Sequence, residues 1–336
     1  MDSNGGDGPG AKPTLRTIAG LTGLAVPTVS RALGDASDLK AETKALVRRV
    51  AEEIGYVPNR AGVRLRTGRT HVIALVMPTE ADMMNHTARL ISSLASGLRG
   101  TPFHLNVSPT YPDEDGGAPV RRIVENGLAD AVIFNQVRPE DPRVAWLMAR
   151  GFPFATHGRT VWAARHAWAD FDNGAFGAIA VRRLRRAGRR RLALLAPPLD
   201  QNYARDMVEG TLGADGAAEL LAGATSDAPQ PLMQAALRAA LARGRDGFVC
   251  GSPSAAMAAV AAIEAHGLRL GRDADLVSKE AIPFLQLVRR EIMVVPEDVG
   301  RAGEVLARAA IRAIREPGAP PIQDLEVPRD EGEDAT

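Results

Sequence analysis

Apolar residues between 14 and 55 recur three and four positions apart, the spacing of one face of a helix. Leu15, Ile18 and Ala19 line the first such face behind a Thr14 cap, and the Thr22-Gly23 pair marks its exit. Val29, Ala32 and Leu33 line a second, where Pro27 is tolerated only in the first turn and Gly34 ends the stripe. From about Ala41, Leu46, Val50 and Ile54 line a third with Val47 and Ala51 beside them, closed by Gly55. Three short helices sharing one small core follow, the first two forming a helix-turn-helix. The stretch 58–69 (PNRAGVRLRTGR) carries too little apolar surface to be stable as a lone helix. Beyond residue 70 the period changes. Short apolar runs at 71–77, 103–107, 131–134, 154–156, 191–195, 247–250, 276–278 and 292–295 alternate with helical stretches, which predicts parallel strands wrapped by helices. One doubly wound sheet and two similar lobes both satisfy that pattern.

With 336 residues, 45% of them hydrophobic and 24% charged, the chain has the make-up of about two folded domains. Charge divides it further. Residues 12–69 hold eleven Lys and Arg against five acidic residues, so a basic head precedes a mildly acidic body. A local concentration of cations is what phosphate neutralisation needs. In a recognition helix, Val26, Pro27, Thr28, Ser30 and Arg31 lie on or near the N-terminal face that enters a major groove. Arg31 would fork onto guanine and Val26 and Pro27 meet a thymine methyl, with Thr28, Ser30 and Thr43 as short donors for phosphate and the helix-opening Thr14 a further DNA-contact candidate. Asn59 would cap a short helix ordered only on DNA, with Arg60, Arg64 and Arg66 on phosphates and Leu65 as an apolar wedge. A plain packing module explains the apolar stripe but not the basic, small-residue face, and a flexible linker remains the rival for 58–69.

Other chemistries lack their signatures. Cys250 is the sole cysteine and is expected as a buried hydrophobe at a strand end, so no disulfide framework arises and a reducing, cytoplasmic setting is expected. The six histidines show no metal-binding spacing, and no cofactor or metal is expected. No GxSxG, phosphate-loop or dinucleotide glycine pattern opens a helix. The longest apolar run, 255–263, is far short of a membrane span. The arginine-rich stretch 182–191 is expected to face solvent and the negative end of a helix capped at Gly188.

The run from TLRTIAGLTG through VPTVSRALG and GYVPNRAGVRLRTGR resembles the head and hinge of the LacI/GalR family of bacterial transcription regulators, with TVSR, GYVPN and LRTG all present. Weaker similarity (PFATHGRT, ADFDNGAFG, RRRLALLAPP, VCGSPSAAMAAV, VVPEDVGRAGEVLARAA) spans nearly the whole body. The resemblance implies a tail at 1–13, a head at 14–57, a hinge at 58–69 and a two-lobed periplasmic-binding-protein-like body at 70–330. One lobe would hold 70–168 and 296–317, the other 169–295 and 318–330. It implies a homodimer on a pseudo-palindromic operator, with Leu65 wedged at the central step. The effector residues it carries over are His157, Arg159, Phe171, Asp172, Asn173, Tyr203, Arg205, Ser252, Lys279 and Glu280.

Departures from the family pattern are Ala25 and Gly34 in the head, the stretch 79–84 without paired aromatics, Met207 for an arginine and Pro253 for an aspartate. A repressor of carbohydrate uptake or catabolism, released by a sugar of the α-glucoside kind, is the function expected. A purine or other metabolite acting as corepressor is the alternative effector, and a sugar-processing enzyme or a solute-binding protein the alternative class.

Overall fold

The structure, a computed structural model, describes residues 12–56, 68–78, 84–111 and 113–330. The chain divides into two compact units, 1–70 and 71–336. In the first, helices α1 (Leu15–Thr22), α2 (Val26–Leu33) and α3 (Ala41–Glu53) pack pairwise. Their core is Ile18, Val29, Ala32, Val47, Val50 and Ala51, on the faces that the periodicity selects. Thr14 and Thr17 cap α1 reciprocally. Gly23 turns the chain out of that helix at φ 68, a left-handed conformation that favours glycine, in open space. The hinge expected at 58–69 falls almost wholly outside the described residues, and Asn59, Arg60, Arg64 and Leu65 lie there; so do residues 1–11 of the expected tail and residues 79–83.

The second unit holds two parallel sheets. The first has six strands in the order β11-β5-β4-β3-β1-β2: β1 (Val72–Pro78), β2 (His104–Thr110), β3 (Ala131–Phe134), β4 (Phe154–His157), β5 (Ala167–Phe171) and β11 (Gln323–Glu326). The second has five in the order β10-β9-β8-β6-β7: β6 (Leu192–Leu195), β7 (Glu219–Leu220), β8 (Gly247–Cys250), β9 (Asp275–Glu280) and β10 (Met293–Pro296). Continuous apolar stretches such as AVIF and GFVC are buried at every residue, as strands covered on both faces require.

Helices α4 (Met84–Gly97) and α12 (Val299–Arg315) cover one face of the first sheet, where Leu90, Leu94, Val305 and Leu306 join Ile73, Leu75 and Ile133 in one core. Helices α5 (Ala118–Glu125) and α6 (Pro142–Ala149) cover the other through Val120, Ile123, Val144 and Leu147. On the second sheet, α9 (Gln230–Ala242) and α10 (Pro253–Ala265) share one core and α7 (Asn173–Arg186) and α8 (Asn202–Ala214) the other. A one-turn α11 (Leu285–Val288) follows β9. Cys250 ends β8 fully buried, and burial pushes its thiol up to about 12. Among the described residues no helix is long and apolar enough to cross a membrane.

Three strands lack a sequence signal, and one of them corrects the lobe boundaries. β11 reads QDLE in a Pro-rich, acidic stretch and becomes a strand because the edge of β5 offers it a parallel partner, Gln323–Glu326 against Trp168–Phe171. The first sheet therefore takes in all of β5, to Phe171, and residues 323–326, whereas 169 onward and 318–330 were expected in the second lobe. Only the end of that tail returns to the second lobe. The Asp330 carboxylate, 2% exposed, pairs with Arg182 (3.4 Å), Arg183 (3.0 Å) and Arg186 (3.2 Å) of α7. These arginines were expected to face solvent, and their engagement follows from a carboxylate brought back from a distant part of the chain.

Candidate functional site

Two surfaces qualify, one in each unit. In the head, the residue before α2 is Ala25, whose methyl offers no acceptor, so the first turn carries no side-chain cap. Pro27 sits in that turn, where it demands no hydrogen bond. Val26, Pro27 and Arg31 are exposed, Thr28, Ser30 and Thr43 half-buried, and Thr14 is exposed with its hydroxyl accepting from the Thr17 amide. Arg31 forms an ion pair with Asp38. Both side chains are half exposed or more, so the pair is worth at most about 1 kcal/mol and yields to a stronger partner. Lys44 (3.3 Å) and Arg48 (2.7 Å) converge on Asp35 and hold its carboxyl below the usual range. The face is a slim helix end with small side chains and one forked cation, a shape that fits a major groove.

In the body, the carboxyl ends of the two sheets flank a cavity of about 830 Å³. His157, Asn173, Tyr203, Ser252, Lys279 and Glu280, six of the carried-over residues, line it. Parallel strands all end on this side, which is why residues from distant parts of the chain converge here. Ser252 caps α10 and donates to the Ser226 carbonyl at 2.8 Å. Glu280 accepts from the Leu285 amide at 3.1 Å. Lys279 Nζ donates to Asn173 Oδ1 at 2.9 Å, pairs with Glu297 Oε2 at 3.1 Å, and lies 5.3 Å from the ring centres of Phe171 and Tyr203.

The other four carried-over residues sit elsewhere, each for a local reason. Arg159 is spent on Asp170 (2.7 Å) and on Asp206 of α8 (3.3 Å), which ties the lobes together. Phe171 is buried against Phe176. Asp172 caps α7 by accepting from the Ala175 amide at 2.9 Å. Arg205 is exposed and donates to the Leu199 carbonyl at 3.2 Å. Met207, where the family pattern has an arginine, is fully buried in the core, while Pro253 opens α10 in the cavity wall.

Sequence reasoning passed over Asn135, His86, Asp170 and Glu297, all of which line the cavity. Asn135 was within reach, since it follows the apolar run 131–134 and strand ends line such clefts. It is 2% exposed, and neither polar atom of its amide has a partner among the described residues. Arg143 fixes its backbone by donating to the carbonyls of Asn135 (3.3 Å) and Gln136 (3.0 Å) while clasping buried Asp141 at 2.7 Å.

His86 and His157 lie with ring centres 5.0 Å apart, and His86 Nε2 is 3.6 Å from Glu297 Oε1. Burial pushes His157 down to about 3, with His86 and Lys279 acting the same way and Glu297 opposing, so its imidazole is neutral. Burial works against a charge on Glu297, yet Lys279 and His86 hold its carboxyl well below the usual carboxylate range. Asp170 is pushed up to about 6 by burial, against the pull of Arg159.

Comparison with known proteins gives matches in both units. The family model for bacterial regulatory proteins of the lacI family matches residues 14–59, and that of a periplasmic binding protein-like domain matches residues 181–330. The chain is 33% identical over 327 residues to the HTH-type transcriptional regulator AglR of Rhizobium meliloti (strain 1021), covering 93% of this chain and 90% of that one. Its fold is similar to that of a transcriptional regulator CelR–cellobiose complex (TM-score 0.69, 22% identity, 95% of this chain and 98% of that one). It is also similar to the lac repressor dimer bound to operator and the anti-inducer ONPF (TM-score 0.77, 19% identity, 95% of this chain and 97% of that one).

Proposed function

The chain belongs to the LacI family of bacterial regulatory proteins and is a DNA-binding transcriptional regulator; from that premise we propose that it represses a carbohydrate uptake or catabolism operon and is released when a sugar fills the cavity. The enzymatic alternative is set aside by its relatives, which are transcriptional regulators. In this reading the protein works in the cytoplasm as a homodimer on a pseudo-palindromic operator. Val26, Pro27 and Arg31 enter the major groove, Arg31 leaving Asp38 for a guanine edge, while Thr14, Thr28, Ser30 and Thr43 sit against phosphates. Asn59, Arg60, Arg64 and Leu65 of the hinge act at the central minor groove.

Asn135 carries the effector half of the proposal. A buried amide whose donor and acceptor both lack a partner among the described residues costs free energy until something satisfies it, and a ligand hydroxyl does so from both sides. His157, Asn173, Ser252, Lys279 and Glu280 supply further polar contacts, and the Tyr203 ring covers the apolar face of a sugar. The volume falls toward the upper part of the range of about 300–1,000 Å³ found for small-molecule sites, and a regulator of similar fold is known in complex with a disaccharide, cellobiose.

The test is thermal unfolding and operator binding of the full-length protein against maltose, sucrose, cellobiose, nucleobases and amino acids. A disaccharide is expected to raise the melting temperature and to weaken operator binding by about 5- to 150-fold, and Asn135→Ala to lose both responses while still melting cooperatively. Hits confined to nucleobases or amino acids would overturn the carbohydrate effector. Separately, Arg31→Ala is expected to lose about 1–3 kcal/mol on the operator and relax one base position. An equal loss on random DNA would remove Arg31 from base reading.

A further inference from the structure

We propose that His86, His157 and Glu297 form a binding site for a divalent cation of the zinc, nickel or cobalt class in the cavity wall. They come from α4, the end of β4 and the segment after β10, and one ligand atom from each lies within 4.8 Å of the other two. The 3.6 Å between His86 Nε2 and Glu297 Oε1 is too long for a hydrogen bond. It is close to the separation of about 3.4 Å between two ligands that each stand about 2.1 Å from a tetrahedral ion. Two imidazoles with one carboxylate are a donor set that zinc-class ions accept with a position left open, whereas magnesium and calcium want oxygens alone. Because all three residues line the cavity, the open position faces it.

The surroundings sort the remaining atoms. Among the described residues Nδ1 of His86 is buried with no partner and Nε2 has only the long approach to Glu297, so none of them holds this imidazole in a hydrogen bond. The Glu297 oxygens are divided, Oε2 toward the Lys279 ammonium at 3.1 Å and Oε1 toward His86, which leaves Oε1 to bind an ion as a single ligand atom. Lys279 opposes the site, because its positive charge stands on the same carboxylate. Neutralising Lys279 should therefore tighten ion binding, an effect that sets a metal site apart from a simple hydrogen-bonded cluster.

Full-length protein stripped with chelator would be titrated with cobalt(II) by visible absorption and with zinc(II) by calorimetry, without sugar or DNA, so the result does not depend on the effector or operator. One ion per protomer is expected, with cobalt bands typical of four or five ligands. His157→Ala and Glu297→Gln should each weaken uptake by about tenfold or more, and Lys279→Met should strengthen it by a similar factor. Absence of saturable uptake by the unmodified protein would overturn the proposal, as would undiminished uptake by a His86→Ala/His157→Ala variant that still melts cooperatively. If these variants do not fold, carbethoxylation of the unmodified protein decides: zinc protection of His86 and His157 supports the site, and equal modification with and without zinc overturns it.

Discussion

Asp170 shows how one side chain comes under two opposing pulls, burial in the cavity wall and the guanidinium of Arg159 at 2.7 Å. Burial wins, placing the carboxyl at about 6 where an unperturbed one titrates at 3.8. Between those two values the folded chain holds a proton that the unfolded chain has lost, so stability falls as pH rises through that window. Asp170→Asn removes the titration and is expected to flatten the pH dependence of the denaturant midpoint there; slopes that match the unmodified protein would refute the assignment. Nothing in the stretch AWADF announces this, because Asp170 is ordinary until β5 is covered on both faces. Asp172, by contrast, carries a local signal. Asp three residues before the amide it accepts from is a helix cap, and the Asp172 side chain takes that role at the start of α7. Arg159 and Arg205 likewise lie outside the cavity lining, and their partners, Asp170, Asp206 and the Leu199 carbonyl, are set by packing that family position does not reveal.

Elements of the head were legible because three-helix packing is local and each helix carries its own stripe, cap and exit. In the body, runs such as 131–134 and 247–250 became strands at the expected positions because both faces are buried. Polar β11 and two-residue β7 had no such signature. Helices α7 and α8 add a contact that the periodicity only half reveals. A Cβ built on Gly210 would stand 2.0 Å from the Gly174 carbonyl oxygen, and one on Gly177 would stand 2.7 Å from the Met207 carbonyl oxygen. The two backbones therefore touch, and Asn173 and Tyr203 of the cavity wall ride on the pair. Gly210→Ala must push α7 and α8 apart. It is expected to cost about 1–3 kcal/mol or more in chemical denaturation and to weaken effector binding with it; unchanged stability would mean that the helices part without cost.

Across the whole molecule, the two lobes of the body are joined by chain crossings and by ion pairs at their rims. Arg138 with Asp200 at 3.0 Å and Arg159 with Asp206 at 3.3 Å bridge the lobes, and the Asn202 amide donates to the Val137 carbonyl at 2.9 Å. The last crossing ends at Asp330, gripped by Arg182, Arg183 and Arg186. Asp330→Asn leaves those like charges facing one another and is expected to cost about 1–3 kcal/mol of stability, seen as a lowered denaturant midpoint. A midpoint that does not move would show the tail to be a passenger. The amino-acid sequence alone determined the division into basic head and acidic body, the helix-turn-helix and the alternation of strands and helices, since each follows from residue type and spacing over a few turns of chain. Only the tertiary structure decided which strands share a sheet, where the chain recrosses between lobes, and which side chains meet in the cavity. His86, His157, Lys279 and Glu297 have no relation in sequence, and their proximity, with the altered ionisation of His157 and Glu297, exists only once parallel strands bring their ends to one place and exclude water.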